Sequence, residues 1–177
     1  AESPYMGSTD DPTIWFEVTA DNMLIFHSPK VEMGQGTFTG LAQIAAEELE
    51  VGIEQIKVVH ASTDTGNIDG FSTGGSTSIS TSWEPLRTAG ASARQMLIMA
   101  AARVWQVDSA DCSAAQGRVL HPNGRDSMRY GQLVELAAKE SISDDVVLKP
   151  AREWKYIGKQ RGRLDARAKS TGTAVYG

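Results

Sequence analysis

An α+β fold, a mixed β-sheet covered by about three helices, is the class that this sequence predicts. The first observation behind it is a change of apolar period along the chain, from alternation to helical spacing and back, in the order ββα, β, α, ββ, α. The second is size: 177 residues, 41% hydrophobic and 22% charged, suit one soluble domain with a single core. The formal net charge of -5 argues against a broad phosphate-binding face, so nucleic acid is not an expected partner.

The elements follow in order. Residues 1–12 are polar and lack a signal-peptide apolar region, and they are expected to form a flexible tail before a domain over 13–150. Residues 13–18 alternate, Asp21 and Asn22 make a tight turn, and residues 23–26 form the second strand of a pair. Phe38, Leu41, Ile44, Ala45 and Leu49 then recur at helical spacing, which predicts a helix over 37–50 with Gly52 near its end. Glu47, Glu48 and Glu50 crowd that end, where their charges oppose the helix dipole; the sequence offers no compensation.

Residues 56–60 read as a strand, and residues 62–80 as a long polar, glycine-rich stretch of the kind that usually has a function or is disordered. Thr81 and Glu84 have capping-box spacing and Pro85 suits a first turn, so a helix is expected from there to about Gln106. Its seam is Leu86, Gly90, Ala93, Leu97, Ala100 and Val104, with Gly90 and Ala93 permitting close approach of another backbone. Met96, Ile98 and Met99 leave little polar surface on the far side, a pattern that calls for burial on several sides and hints at absent neighbours. A short β pair is expected over 112–115 and 118–121 around Gly117, a third helix over 130–139, and a weak strand over 146–148. Residues 151–177 read as a connector, with the basic residues between Arg152 and Lys169 as a solvated arm.

Two glycine loops carry the chemistry. In Glu32-Met33-Gly34-Gln35-Gly36 two glycines flank a carboxamide between a strand and a helix, so the backbone can turn sharply and present Gln35 at close range. An amide offers two donors and one acceptor and no charge, which suits orienting an oxygen ligand rather than moving a proton. In the second loop, Gly70 to Ser78, backbone amides with Ser72, Thr73, Ser76 and Thr77 could embrace an anion ahead of the next helix. Each loop also reads as an ordinary turn. A dinucleotide fingerprint from Gly34, Gly36 and Gly40 fails on context: the preceding strand is too polar, the third glycine falls one place late, and no acid ends the next strand. The lone Cys112 can neither bridge internally nor hold an iron-sulfur cluster, and His27, His60 and His121 are too scattered for a metal pair. No protein metal ligand is expected.

Taken together, residues 28–36 (SPKVEMGQG), 46–49 (AEEL), 73–78 (TGGSTS), 82–87 (SWEPLR), 130–133 (YGQL) and 163–177 (RLDARAKSTGTAVYG) resemble the molybdenum-cofactor subunit of the xanthine oxidase family. The nearest branch is that of the isoquinoline 1-oxidoreductase beta subunit, which includes aldehyde dehydrogenases. The resemblance covers nearly everything after about residue 13 and implies part of a larger molybdopterin-binding domain. It also implies a hydroxylase in which a water-derived oxygen on the metal attacks an electron-poor carbon of an aldehyde or N-heterocycle. Hydride moves to a sulfido ligand, and electrons leave through the pterin to iron-sulfur clusters on a partner subunit. The implied cofactor is molybdenum-molybdopterin, in its cytosine dinucleotide form.

By that resemblance Gln35 would donate to an oxo ligand of the metal, Gly34 and Gly36 would shape its loop, and Thr73, Gly74, Gly75, Ser76 and Thr77 would lie near the pterin or its pyrophosphate. The family's catalytic base is a glutamate near the end of a much longer chain, with no counterpart here; Glu32 is not transferred to that role. The expectation is therefore a fragment from the N-terminal side of a large subunit, inactive alone, whose partners are the rest of that subunit and an iron-sulfur subunit. Two other readings stay open: a stand-alone binding or chaperone module for a pterin dinucleotide, and a structural domain. Both the bacterial periplasm or cell envelope and the cytoplasm stay open as compartments.

Overall fold

The computed structural model describes residues 12–61, 73–141 and 145–174; residues 1–11 of the tail expected over 1–12, the loop residues Gly70, Phe71 and Ser72, and residues 175–177 lie outside the described residues. Among the described residues the strands form two three-stranded sheets, one mixed and one antiparallel.

The mixed sheet begins with β1 (Phe16–Val18), which pairs antiparallel with β2 (Leu24–Ser28) so that Phe16 faces Phe26 and Val18 faces Leu24. The turn between them closes through Thr19 N–H on the Met23 carbonyl at 2.9 Å, with Asn22 left-handed at φ 67°. The strand expected to start at residue 13 is shorter. Residues Pro12–Trp15 make a helical turn, α1, that sets the buried Trp15 ring on Phe26 at 6.1 Å. A short apolar alternation does not separate a strand from one turn of helix. β2 then runs parallel to β3 (Ile56–His60), Leu24 opposite Ile56, and α2 (Thr37–Leu49) makes the crossover between them.

Leu41, Ile44, Ala45 and Leu49 of α2 are buried as their spacing requires, and the helix ends within a residue of its expected bound, on a left-handed Glu50. Against it lies α3 (Ser78–Trp105), 28 residues long. It starts before the expected capping box, which is used otherwise: the Thr81 hydroxyl donates to the Thr77 carbonyl at 2.9 Å, and Ser82 is buried. Pro85 therefore sits inside the helix. Leu86, Gly90, Leu97 and Ala100 lie in the core, but Val104 is 49% exposed and leaves the expected seam. At Gly90 the two helices nearly touch, since a Cβ there would lie 2.9 Å from Cβ of Glu48.

The second sheet, β4 (Ser113–Ala115), β5 (Arg118–Leu120) and β6 (Ser127–Arg129), is an antiparallel meander. Its first turn places Gln116 and Gly117 left-handed at φ 52° and 72°, the conformation a two-residue hairpin loop favours. β6 was not expected, having one apolar residue, Met128. α4 (Tyr130–Ala137) follows directly and ties this sheet to the first core: the buried Tyr130 hydroxyl donates to the Leu49 carbonyl at 2.6 Å.

The weak strand expected over 146–148 is absent, and Val147 is exposed. Its stretch instead begins a strap across α2. Glu47, fully buried, accepts from Lys149 Nζ at 2.6 Å and from the backbone N–H groups of Lys155 (2.8 Å), Tyr156 (2.7 Å) and Ile157 (3.2 Å). Glu48, equally buried, accepts from Arg87 Nε at 2.8 Å and from the Lys149 N–H at 3.0 Å, and Glu50 pairs with both Lys149 and Lys155 at 2.6 Å. Arg87 also stacks on Trp83 and Trp154 at 5.2 and 5.4 Å. The acidic end of α2 is thus neutralised by Arg87, 39 positions away, and by Lys149 and Lys155, about a hundred positions away, and the basic segment expected to be a solvated arm is fastened down as far as Arg163. Burial alone would raise the Glu47 carboxyl, but Lys149 and the three N–H groups outweigh it and hold it below its ordinary value.

Candidate functional site

β2 delivers the chain to the first glycine loop. Ser28, buried at its end, accepts from the Lys30 N–H at 3.1 Å and donates to the Lys30 carbonyl at 3.0 Å, turning the backbone out of the sheet. Gly34 and Gly36 follow at φ 101° and 83°, positive values that side chains rarely adopt, so the two glycines are a conformational requirement of this turn.

Glu32 organises it from inside. Its Oε1 accepts the N–H groups of Gly34 (2.7 Å) and Gly36 (3.1 Å), and its Oε2 accepts that of Phe38 (3.1 Å) in the first turn of α2. Gly36 has no side chain to cap that helix, so a carboxylate four residues upstream does it, where the dipole favours a negative charge. Arg163 reaches the same carboxylate at 3.1 Å. Burial pushes the Glu32 carboxyl up, and the three N–H groups with Arg163 bring it below its ordinary value. Glu32 is therefore an ionised structural anchor, and its geometry does not suit a general base.

Gln35 is exposed at the tip. Its Oε1 accepts from the Met33 N–H at 2.6 Å and its Nε2 donates to the Val31 carbonyl at 2.8 Å. That bond uses one of the two amide N–H groups.

The second loop comes to meet it. The Val31 N–H donates to the Thr73 hydroxyl at 2.9 Å, joining the two loops at their bases. Between them opens a cleft of about 520 Å³ with Met33, Gln35 and Thr37 on one wall and Thr73, Gly74, Ser76, Ser78 and Ile79 on the other. Of the residues singled out in the sequence, Gln35, Thr73, Gly74 and Ser76 share this cleft. Gly34, Gly36, Gly75 and Thr77 shape its edges without lining it, and Gly75 is left-handed at φ 65°. Because α3 starts at Ser78, its first turn opens on the cleft directly; Thr77 makes no side-chain cap bond to it. The sequence did not show that adjacency, nor the part of Thr37 and Ile79 in the lining, and it gave Met33 and Ser78 a place in the two loops without a role there. The run of hydroxyls from Ser76 through Thr81 was the available signal.

The lining donors are uncharged: one carboxamide, the hydroxyls of Thr37, Thr73, Ser76 and Ser78, and the N-terminal turn of a long helix. No carboxylate lines the cleft among the described residues, since Glu32 is turned onto backbone N–H groups. Such a donor set fits an oxygen-rich anion, which gains hydrogen bonds and the positive end of the dipole without a repelling charge. Among the described residues no cluster of His, Cys, Asp or Glu could hold a metal ion.

A family model described as a molybdopterin cofactor-binding domain matches residues 3–175. Isoquinoline 1-oxidoreductase subunit beta of Brevundimonas diminuta is 30% identical over 216 residues, a match that spans 100% of this chain and 28% of that protein. A membrane-bound aldehyde dehydrogenase (pyrroloquinoline-quinone) of Gluconacetobacter polyoxogenes is 31% identical over 173 residues, 94% of this chain and 22% of its own length. The chain therefore spans about a quarter of the length of these two relatives. Among solved structures, quinoline 2-oxidoreductase of Pseudomonas putida 86 superposes with a TM-score of 0.54 at 22% identity, over 75% of this chain and 17% of that one, a likeness of fold.

Proposed function

The chain belongs to the molybdopterin cofactor-binding domain family, within the xanthine oxidase group of molybdenum enzymes, and from that premise we propose that its two glycine loops form one wall of the cofactor site of a molybdenum hydroxylase large subunit. The observation that carries the reading is the shared cleft, in which Gln35 stands opposite Thr73, Gly74 and Ser76. The family premise and the uncharged donor set point to the same ligand class, a pterin bearing phosphate.

When bound, the cofactor supplies the two-electron oxidation and oxygen transfer that hydroxylate an electron-poor carbon of an aldehyde or N-heterocycle. The protein's part is binding and orientation. The Thr73 and Ser76 hydroxyls and the N-terminal turn of α3 hold the phosphate-bearing portion, and Gly74 lets that portion approach the backbone. Gln35 offers the amide N–H that its loop leaves over, orienting the metal end without adding charge. The cofactor is proposed to be the cytosine dinucleotide form, with iron-sulfur clusters on a partner subunit and the catalytic base in the remainder of this subunit. Without them the stretch 1–177 is proposed to be inactive.

The test is Gln35→Ala in the full-length complex, with molybdenum and pterin measured per subunit. Metal content is expected to hold while kcat falls about ten- to a hundred-fold, the scale of losing one preorganised donor. Wild-type turnover at full metal occupancy would remove the proposed role.

A further inference from the structure

The Gln35 turn is held by a residue from the far end of the chain. Arg163 lies 129 positions after Gly34, and its planar fork serves three acceptors at once. Nη1 donates to the Gly34 carbonyl, and Nη2 donates to Glu32 Oε1 at 3.1 Å. Nε and Nη2 together grip the Asp165 carboxylate at 2.9 and 2.7 Å. Lys169 Nζ pairs with Asp165 Oδ2, the oxygen that Nη2 also reaches, at 2.6 Å, and the neighbouring Leu164 N–H donates to the Thr39 hydroxyl of α2 at 3.1 Å.

We propose that Arg163 is the positioning residue of the Gln35 turn, setting the carboxamide through Glu32 and the Gly34 carbonyl. The inference rests on the reading of Gln35 given above and names what aims it. Gln35 has a glycine on each side, and a turn with two such residues is loose unless its polar groups are pinned. Beside the carboxamide's own bonds to the Met33 N–H and the Val31 carbonyl, the glycine backbone is pinned through one cluster: Glu32 holds the N–H groups of Gly34 and Gly36, and Arg163 holds the Gly34 carbonyl and Glu32 itself. Asp165 in turn fixes the plane of the guanidinium, a bidentate geometry that lysine cannot reproduce. A segment read from sequence as a connector thus reaches back to the loop proposed to face the cofactor.

The full-length complex carrying Arg163→Lys, Glu32→Gln or Gln35→Ala separates the possibilities, with amide hydrogen exchange over residues 33–38, metal and pterin content, and kcat and KM measured on each. In Arg163→Lys the exchange of residues 33–38 is expected to rise about tenfold or more at unchanged metal and pterin content. Its kcat should fall about ten- to a hundred-fold, as for a misplaced catalytic geometry, with KM within about twofold of wild type. Glu32→Gln should reproduce both changes, since it weakens the same pins without creating a cavity. Wild-type exchange in both variants would overturn the clasp. Faster exchange with wild-type kcat, while Gln35→Ala is impaired, would overturn the positioning role and leave the reading of Gln35 standing. An unimpaired Gln35→Ala would sink that reading and the inference with it. Loss of metal and pterin from Arg163→Lys and Glu32→Gln would show a purely structural part.

Discussion

Replacing Glu47 by glutamine tests whether the strap is held by charge. The carboxylate is fully buried, and Oε2 alone accepts three backbone N–H groups, those of Lys155, Tyr156 and Ile157. A glutamine must keep its carbonyl there, which turns its NH2 toward Lys149 Nζ, where a carboxylate oxygen now accepts at 2.6 Å. Lys149 retains Glu50, so one charged bond is lost outright and the three N–H bonds weaken to neutral ones. A lost bond to a charged group costs about 1.5–3 kcal/mol, and breaking a buried pair about 3–5 kcal/mol, so about 3 kcal/mol is expected. That is about a hundredfold in a local opening constant. Native-state amide exchange at residues 155–157 reads it directly, and protection should fall about a hundredfold.

The same bonds fix a pH dependence. Glu47 titrates below its unfolded value of about 4.3, so its contribution is complete above that pH and is lost as pH falls through the lowered folded value. Protection at 155–157, corrected for intrinsic exchange, should hold from pH 7 to about 5 and then drop in wild type; in Glu47→Gln this carboxylate-linked drop should vanish. Wild-type protection in the variant, within about threefold, would refute the reasoning.

Gly90→Ala sets a helix-propensity gain of about 1 kcal/mol against overpacking of about 1–3 kcal/mol. Glu48 Cβ, 2.9 Å from the new methyl, cannot retreat because its carboxylate is held by Arg87 and Lys149, so the thermal midpoint should fall by about 2–4 °C; an increase would show that α2 and α3 can separate freely. At Gly74 a Cβ meets nothing within 4 Å, so Gly74→Val should leave the thermal midpoint within about 2 °C while lowering pterin content in the full-length complex. Normal pterin content would make that loop an ordinary turn.

How much of this was legible follows from the range of the interactions. α2, β3 and the Gln116–Gly117 hairpin lie within a residue or so of their sequence bounds because apolar period and turn chemistry are local. α3 was placed late because Thr81 and Glu84 match a capping pattern, and only the packed structure shows the Thr81 hydroxyl spent on the preceding carbonyl. The acidic crowd at Glu47, Glu48 and Glu50 looked unfavourable because its partners, Lys149, Lys155 and Arg87, belong to other elements. The two glycine loops stood out as candidates. Their meeting at one cleft did not, since it depends on the Val31–Thr73 hydrogen bond across 42 positions and on α3 starting at Ser78.

The central claim is that the Gln35 carboxamide faces the cofactor across the cleft between the two glycine loops. The structure of the cofactor-loaded, full-length complex tests it most directly. Gln35 Nε2 is expected within hydrogen-bond reach, about 3 Å, of an oxygen at the metal end of the pterin, with Thr73 and Ser76 beside the phosphate-bearing portion of the same cofactor. A cofactor seated elsewhere, with Gln35 in open solvent, would contradict it.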